Sequence, residues 1–294
     1  MSSPEPRATV CVTVDFDAIC IWMAWGARGA RILSRGEFGA DVGAPRLLDL
    51  FEQLSIPTTW FIPGHSAETY PRIPERVVAA GHEIGHHGYL HEAFDTLSES
   101  EARDVIRKGS EVLERVTGRR PQGMRVPAGD FDGSLFEVLI DEGFTYDSSI
   151  IGEYQPRWCR ARDEIYDDRP PVFGETLPLV ELPLSFVMND FCYFEFNYAN
   201  PALVGLSSPD HVYSIWSSQF DYMYENEPGG VLNMTLHPQS VGWGLRVAML
   251  ERFLNHCLEQ PGVEFATCTT VADRFRAKEE AAQPVGSVGS EARS

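Results

Sequence analysis

Short apolar runs alternate along the chain with longer segments whose apolar residues recur every three or four positions. The run at 8–14 is apolar and β-branched almost throughout, whereas Leu47, Leu50, Phe51 and Leu54 fall on one face of a helix. This alternation predicts parallel strands joined by helices, the α/β class. The predicted strands are 8–14, 58–62, 83–85, 123–126, 144–150, 179–186, 230–236 and 263–267. The predicted helices are 45–54, 71–80, 98–118, 133–142, 209–225 and 245–258.

Two segments depart from this alternation. Between 152 and 176, Pro, Arg, Asp and aromatic residues predominate, which predicts a long surface excursion that contributes to a binding pocket. Residues 279–294 are rich in Ala, Glu, Gly and Ser and are expected to form a disordered tail. The remaining chain is long enough to bury one large core, so a single domain is expected.

Charge and cysteine usage narrow the possible partners and location. Acidic residues outnumber basic ones by 43 to 24, so nucleic acid and anionic membrane surfaces are not expected partners. No segment approaches the roughly 20 apolar residues that a membrane-spanning helix needs. The six cysteines form no Cys-x-x-Cys pair, and the N-terminus lacks the pattern of a signal peptide. The expected location is therefore the cytoplasm.

Four short motifs follow predicted strands, at the end where parallel α/β barrels collect their active sites. The first is Asp15-Phe16-Asp17, in which two carboxylates two positions apart can face the same side. One of them could bind a metal while the other stays free as a general base. A pair of turn-forming aspartates would produce the same pattern.

The second motif is a histidine cluster. Four of the chain's eight histidines lie at 82, 86, 87 and 91, and the spacing of His87 and His91 would place both rings on one face of a helical turn. Two imidazoles and one carboxylate leave coordination positions open, as in a catalytic zinc site. The third ligand should be Asp15 or Asp17. A chance pair of surface histidines is the alternative.

The third and fourth motifs each contribute one functional side chain. Arg125, followed by Pro127 and Gly129, could hold a carboxylate through a forked, two-bond contact. His237 closes a strongly apolar strand and is suited to proton transfer near neutral pH. Taken singly, a surface arginine and a structural histidine would explain these positions as well.

In this order, Asp-x-Asp, His-x-x-x-His, Arg-x-Pro-x-Gly and Leu-His-Pro resemble the motifs of the polysaccharide deacetylase superfamily, also called the NodB-homology fold. The resemblance covers residues 8–276 and implies one catalytic domain, a distorted (β/α) barrel. Segments 42–48, 60–65 and 81–85 are similar to an intracellular branch of peptidoglycan deacetylase homologues, cofactor-independent allantoinases and cyclic imide hydrolases.

The resemblance implies a role for each motif residue. It implies a divalent metal, zinc above others, held by Asp17, His87 and His91. Asp15 matches the catalytic base that takes a proton from the attacking water, and Arg125 matches the residue that holds and tunes this base. His237 matches the general acid that protonates the leaving nitrogen.

This chain also departs from the commonest family pattern. Phe16 separates the two aspartates, and the Asp-Arg-Trp motif that often supports the catalytic histidine is absent from its usual stretch. Glu181 and Asp190 occupy that stretch, so either is expected to orient His237 or to contact substrate. Aromatic residues such as Trp22 and Trp243 would suit an apolar pocket, although core packing explains such residues equally well.

The implied activity is hydrolysis of carbon–nitrogen bonds other than peptide bonds. One expected substrate class is a small imide, ureide or other amide. The alternative is the N-acetyl group of a sugar or of peptidoglycan, and a polymer outside the membrane would require export of the protein. A non-catalytic carbohydrate-binding relative is a third possibility. By analogy with the intracellular branch, a homotetramer or another homo-oligomer is expected.

Overall fold

A computed structural model of the chain describes residues 5–127, 129–196 and 205–282. Nine strands lie within these residues: β1 (Ala8–Asp15), β2 (Thr58–Ile62), β3 (Glu83–His86), β4 (Gly123–Met124), β5 (Tyr146–Asp147), β6 (Arg157–Arg160), β7 (Thr176–Glu181), β8 (Gly230–Leu236) and β9 (Val263–Phe265). The same residues contain twelve α-helices: α1 (Cys20–Ala24), α2 (Ala30–Phe38), α3 (Ala44–Leu54), α4 (Gly64–Thr69), α5 (Arg72–Ala79), α6 (Glu99–Thr117), α7 (Leu135–Asp141), α8 (Phe191–Phe194), α9 (Pro209–Asn226), α10 (Pro238–Val241), α11 (Gly244–Leu258) and α12 (Cys268–Ala282).

The strands form one curled sheet in the order β6-β7-β5-β4-β3-β2-β1-β8, with β9 also pairing with β1. All pairs are parallel except β6 with β7. All eight residues of β1 are buried, as expected of a central strand covered on both faces. Parallel pairing brings the carboxyl ends of β1, β3, β4 and β8 to the same edge of the sheet, and the four motifs follow these ends.

The segment after β7 bridges the gap between β7 and β8. Asn233 of β8 donates through Nδ2 to the carbonyl oxygens of Leu182 and Pro183, at 3.3 and 3.1 Å. Asn189 then forms an isolated parallel bridge with Thr235. These contacts turn the open sheet into a distorted half-barrel, and they bring the segment before α8 to the end of β8.

The helices begin and end where local sequence signals favour it. Ser98 and Glu101 form a capping box at the start of α6, and Gly118, with a φ of +69°, ends this helix. α9 packs on α11 through the rings of Trp216, Phe220 and Phe253. These amphipathic helices cover one face of the sheet and bury the largest hydrophobic cluster.

The single-domain α/β barrel predicted from the sequence is confirmed. Several predicted elements are shorter than expected, since β4 is only Gly123–Met124 and β5 only Tyr146–Asp147. The sequence pattern missed α1, α2, α4, α8, α10 and α12, as well as β6 within the predicted excursion. α12 extends to Ala282 and so includes the first four residues of the predicted tail. The rest of that tail, 283–294, lies outside the described residues.

Candidate active site

Asp15 and Arg125 form a buried ion pair at the centre of the site. Arg125 Nη1 donates to Asp15 Oδ1 at 2.8 Å and to Thr13 Oγ1 at 2.7 Å. Nε and Nη2 of the same guanidinium donate to the backbone oxygen and the Oγ of Ser148, at 3.0 and 2.8 Å. The face of the guanidinium lies 4.3 Å from the centre of the Phe61 ring. These contacts hold Arg125 in one position, with 1% of its surface exposed.

The sequence predicted a forked contact between Arg125 and a carboxylate, and the structure shows a different arrangement. Only Nη1 reaches Asp15, because Ser148 occupies the other two donor positions. The remaining oxygen of Asp15, Oδ2, lies 3.7 Å from His237 Nε2 and 4.0 Å from His87 Nε2. One carboxylate oxygen is therefore fixed by the arginine, while the other lies near the two imidazoles.

Asp17 lies two residues beyond Asp15 and is fully buried. Its Oδ1 lies 3.4 Å from His87 Nε2 and 3.8 Å from His91 Nε2. The other oxygen, Oδ2, accepts a 3.3 Å hydrogen bond from Gln239 Nε2. His87 and His237 thus lie within 4.0 Å of both aspartates, whereas only Asp15 contacts Arg125 and only Asp17 contacts His91 and Gln239.

The two histidines meet in a loop and not on the helical turn that their spacing predicted. Residues 87–93, which follow β3, contain no helix, and Gly88 and His91 have φ values of +71° and +58°. These left-handed residues curl the chain so that the two rings lie 5.1 Å apart. His87 Nδ1 lies 2.7 Å from the backbone oxygen of Arg125, to which it donates in the tautomer that leaves Nε2 free.

Burial and neighbouring charges shift the pKa values of this cluster. Burial lowers the pKa of His91 to about 4. For His87, burial acts in the same direction, but Asp15 and Asp17 outweigh it and raise the pKa. Burial alone would raise the pKa of Asp17, and His91 and His87 instead lower it to about 2. Asp17 is therefore a carboxylate at neutral pH.

The residues fit a divalent metal. Asp17 Oδ1 is buried and has no hydrogen-bond partner among the described residues. One donor atom from each of Asp17, His87 and His91 lies within 4.8 Å of the others, and all three side chains are buried. A buried carboxylate oxygen without a hydrogen donor is costly unless a cation neutralises it. One carboxylate with two imidazoles is also a donor set that zinc accepts.

His237 and Asp190 form a second buried ion pair. His237 Nδ1 lies 2.7 Å from Asp190 Oδ1, and Asp190 Oδ2 accepts from the backbone N–H of His237 at 2.8 Å. Burial would lower the pKa of His237, but Asp190, Asp15 and Asp17 raise it to about 9. Asp190 reaches this position because its own backbone N–H bonds to the oxygen of Thr235 in β8. The imidazole thus holds a proton at neutral pH, with Nε2 directed towards the two aspartates.

A cavity of about 520 Å³ opens over this cluster. Its floor contains Asp15, His87, His91, Arg125 and His237. Its walls are mainly apolar and aromatic: Ile21, Trp25, Val126, Pro127, Phe131, Ile150, Ile151, Leu184, Phe186 and Phe191. Such a pocket is suited to a small ligand with few polar contacts.

Three of the predicted substrate contacts lie away from this cavity. Trp22 is buried beneath the neighbouring Trp25, with ring centres 5.7 Å apart, and only Trp25 lines the cavity. Trp243 is 52% exposed and stacks on Phe38. Glu181 is buried near the end of β7 and faces a separate cavity of about 660 Å³.

Sequence reasoning missed some residues that hold the site together. Thr13 and Ser148 orient Arg125, and Gln239 contacts Asp17. The available signals were positional, since Gln239 follows the Leu-His-Pro motif by one residue and Ser148 lies two residues before the end of the predicted strand 144–150. One glycine also matters, because a side chain at Gly43 would collide with the backbone of Pro238, next to Gln239.

Comparison with known proteins agrees with this geometry. The polysaccharide deacetylase family model matches residues 37–146. A peptidoglycan deacetylase of Helicobacter pylori is 33% identical over 279 residues, which cover 90% of this chain and 95% of that protein. The chain belongs to the polysaccharide deacetylase family. This membership confirms the enzyme class expected from the sequence, a hydrolase of carbon–nitrogen bonds other than peptide bonds.

Solved structures share the fold over almost the whole chain. A putative polysaccharide deacetylase from Mycobacterium smegmatis is 28% identical, has a TM-score of 0.83 and covers 99% of this chain and 98% of its own. The PuuE allantoinase is 23% identical, has a TM-score of 0.78 and covers 94% and 92% of the two chains. At this identity, the allantoinase shows the fold alone. Every helix in 5–127, 129–196 and 205–282 is too short or too polar to cross a lipid bilayer.

Proposed function

We propose that this protein is a metal-dependent hydrolase of small amides, imides or ureides. The observation that carries this proposal is that two aspartates at the end of β1 have different surroundings. Asp15 contacts a fixed arginine and faces the cavity, whereas Asp17 contacts two histidine rings and is fully buried. Different surroundings allow one carboxylate to act as a base and the other as a metal ligand.

Asp15 is the proposed general base. A water molecule in the cavity would give its proton to Oδ2, because Oδ1 is already bonded to Arg125. Removal of this proton accompanies attack of the water oxygen on the carbonyl carbon of the substrate. Arg125 acts through Asp15, since its fixed guanidinium holds the carboxylate in place.

His237 is the proposed general acid. The leaving nitrogen needs a proton before the carbon–nitrogen bond can break, and the raised pKa of His237 supplies a protonated imidazole at neutral pH. The Asp190 carboxylate orients the ring through Nδ1, which leaves the proton on Nε2 for transfer. Asp190 thus takes the supporting role that the sequence left open between Asp190 and Glu181.

Asp17, His87 and His91 would hold the metal, for which zinc is the proposed identity. When bound, zinc would polarise the substrate carbonyl and make water more acidic. Gln239 would orient the Asp17 carboxylate, because its amide donates to Oδ2 and leaves Oδ1 directed at the histidines.

The shape of the cavity favours a small substrate over a polymer. Its volume of about 520 Å³ is in the range of sites for single small molecules, and most of its wall is apolar. The allantoinase, with a TM-score of 0.78, shares the barrel more closely than a peptidoglycan N-acetylglucosamine deacetylase, Bc1960, with a TM-score of 0.55. Both similarities concern the fold, so the substrate class rests on the cavity.

Deacetylation of an N-acetyl sugar is the second candidate. The observation that favours it is the 33% identity to a protein named as a peptidoglycan deacetylase. The same base, acid and metal would cleave an acetamide, so the two candidates differ only in what the cavity admits. The expected cytoplasmic location and homo-oligomer stay predictions from the sequence.

Matched substrate panels separate these candidates. Purified protein is stripped of metal, reloaded with zinc, and assayed on small imides and ureides and on N-acetylglucosamine oligomers. The proposal predicts zinc-dependent hydrolysis of at least one small compound and no acetate release from the oligomers. Acetate release from the oligomers alone would reject the small-substrate proposal in favour of sugar deacetylation. Absence of hydrolysis in both panels would reject both.

A further inference from the structure

A second buried acidic group lies at the same end of the sheet, outside the cavity above Asp15. Asp147 and Glu181 are the last residues of β5 and β7, and the two strands pair so that these residues are direct neighbours. Both side chains are buried, and their carboxyl groups interact with each other. Neither takes part in the steps proposed above.

The two carboxyl groups bind the backbone of the turn that follows β5. Asp147 accepts hydrogen bonds from the N–H and the Oγ of Ser149, both at 2.9 Å. Glu181 Oε1 accepts from the N–H of Ile150 at 3.0 Å. The turn 148–150 is therefore held at two successive amides by two side chains.

This turn holds the arginine of the active site. Ser148 accepts two hydrogen bonds from Arg125, and Ser149 Oγ accepts from the N–H of Val126, next to that arginine, at 2.8 Å. Arg125 in turn bonds to Asp15. The acidic pair is thus connected to the proposed base through hydrogen bonds and the short backbone segments 148–149 and 125–126.

Two buried carboxylates in contact repel each other unless a proton lies between them. Burial raises the pKa of Glu181 well above its usual range, and it also raises the pKa of Asp147. The charged groups that act on the pair are Arg125 and Arg157, and the thiol of Cys159 lies 3.9 Å from Glu181 Oε2. The two arginines do not replace the proton, because Arg125 is already paired with Asp15 and Arg157 donates to the backbone oxygen of Ile151.

We propose that Asp147 and Glu181 share one proton and act as positioning residues, holding the turn 148–150 so that Ser148 fixes Arg125 against Asp15. This inference rests on the proposed function, because it assigns the pair a part in the same hydrolysis. It also gives Glu181 a different role from the substrate contact that the sequence predicted.

Two substitutions of Glu181 test the proposal. In Glu181→Gln, the amide still accepts from Ile150 and still donates to Asp147, so kcat should stay within about twofold of wild type. Glu181→Leu removes both bonds and leaves Asp147 without its proton partner. We expect kcat to fall about 10- to 100-fold with little change in KM, because displaced catalytic groups slow the reaction without removing the cavity wall.

A control separates positioning from general loss of stability. Val77→Ala truncates a buried side chain in α5 that lines neither the cavity nor the turn 148–150, and it should lower the melting temperature without changing kcat. Infrared difference spectra of wild type minus Glu181→Gln should contain the carbonyl band of a protonated carboxyl group at neutral pH. Absence of this band would overturn the shared proton.

The outcomes also separate this inference from the proposed function. An active wild type with an unchanged kcat in Glu181→Leu would overturn the positioning role alone. A loss of kcat in Glu181→Gln equal to that in Glu181→Leu would also overturn it, since the amide preserves the bonds. A wild type that is inactive on every substrate would reject the proposed function, and the positioning role would fall with it.

Discussion

Two acidic groups lie buried at the same end of the sheet and are neutralised in opposite ways. At the end of β1, Asp15 and Asp17 lie near Arg125 and the protonated His237, so positive charge compensates negative charge. At the ends of β5 and β7, two carboxyl groups face each other, and the neutralising agent is a proton. Asp15 of the first group lines the cavity, whereas Asp147 and Glu181 of the second group bind the backbone amides of Ser149 and Ile150.

This difference shows that buried carboxyl groups can have a catalytic role when they are charged and a structural role when they are protonated. A carboxylate held through one oxygen by a fixed arginine keeps its other oxygen available, which suits a base. A carboxyl group that keeps its proton can donate and accept hydrogen bonds without carrying charge into the core.

Metal removal should have the largest effect. Chelation should lower kcat/KM by about 10³-fold or more, since a metal contributes several kcal/mol to stabilising the transition state. Zinc should restore the activity and raise the melting temperature in a concentration-dependent manner. Hydrogen exchange at the Ile150 amide should be unchanged, because the second group holds that amide. Full activity after exhaustive chelation would contradict the assignment of Asp17, His87 and His91.

Replacing His237, the proposed general acid, should have the next largest effect on activity. His237→Gln should lower kcat about 10²- to 10⁴-fold on ordinary amides, and less on anilides whose nitrogen leaves more easily. His256→Gln is the matched control, because His256 forms a similar 2.6 Å pair with Asp221 at the surface. An equal loss in both variants, measured by steady-state kinetics, would mean that the loss is not specific to the site.

The pH dependence of the free energy of unfolding should report the protonation of Asp147 and Glu181. Folding raises the pKa values of Asp147 and Glu181 above their ordinary values of 3.8 and 4.5, reaching about 6 for Asp147. A raised pKa contributes stability that is fully present below the unfolded pKa and is lost as pH rises through the folded one. A pKa that differs by one between the folded and unfolded chain changes the free energy of unfolding by about 1.4 kcal/mol. The free energy of unfolding, measured with urea between about pH 5 and 8, should therefore fall as the pH rises, and it should fall less steeply in Glu181→Gln than in wild type. An identical slope in both proteins would contradict the raised pKa values.

Substitution of two tryptophans, one inside and one outside the cavity, should test where the cavity wall lies and should change the kinetics least. Trp25→Ala removes an aromatic wall and should raise KM roughly five- to thirtyfold, equivalent to about 1 to 2 kcal/mol of lost contact. Trp243→Ala should leave KM unchanged, because that ring stacks on Phe38 outside the cavity. Equal KM values for the two variants would show that the cavity wall is misassigned.

The fold was predictable where burial is continuous and local signals agree. β1 and β8 are buried along their whole length, and the capping box at Ser98 marks the start of α6. β6 and α10 were missed because short elements depend on tertiary contacts more than on periodicity. The same holds for the left-handed turn at Gly88 and His91, which replaced a predicted helical turn.

The candidate site was predictable as a set of residue types but not as a network. The motifs named the residues on the cavity floor, because each one follows a strand end. Spacing could not show that Ser148 takes two donors of Arg125, or that Asp190 and not Glu181 contacts His237. These contacts join residues up to 47 positions apart, and only the folded chain brings them together.

The most direct test of the central claim compares Asp15→Asn with Asp17→Asn by zinc titration calorimetry and kinetics. Asp15→Asn should keep its affinity for zinc and lose kcat about 10²- to 10⁴-fold, because it removes a base and not a ligand. Asp17→Asn should instead lose zinc affinity by about 10²-fold or more. The reverse result, with zinc affinity lost in Asp15→Asn and retained in Asp17→Asn, would contradict the division of labour between the two aspartates.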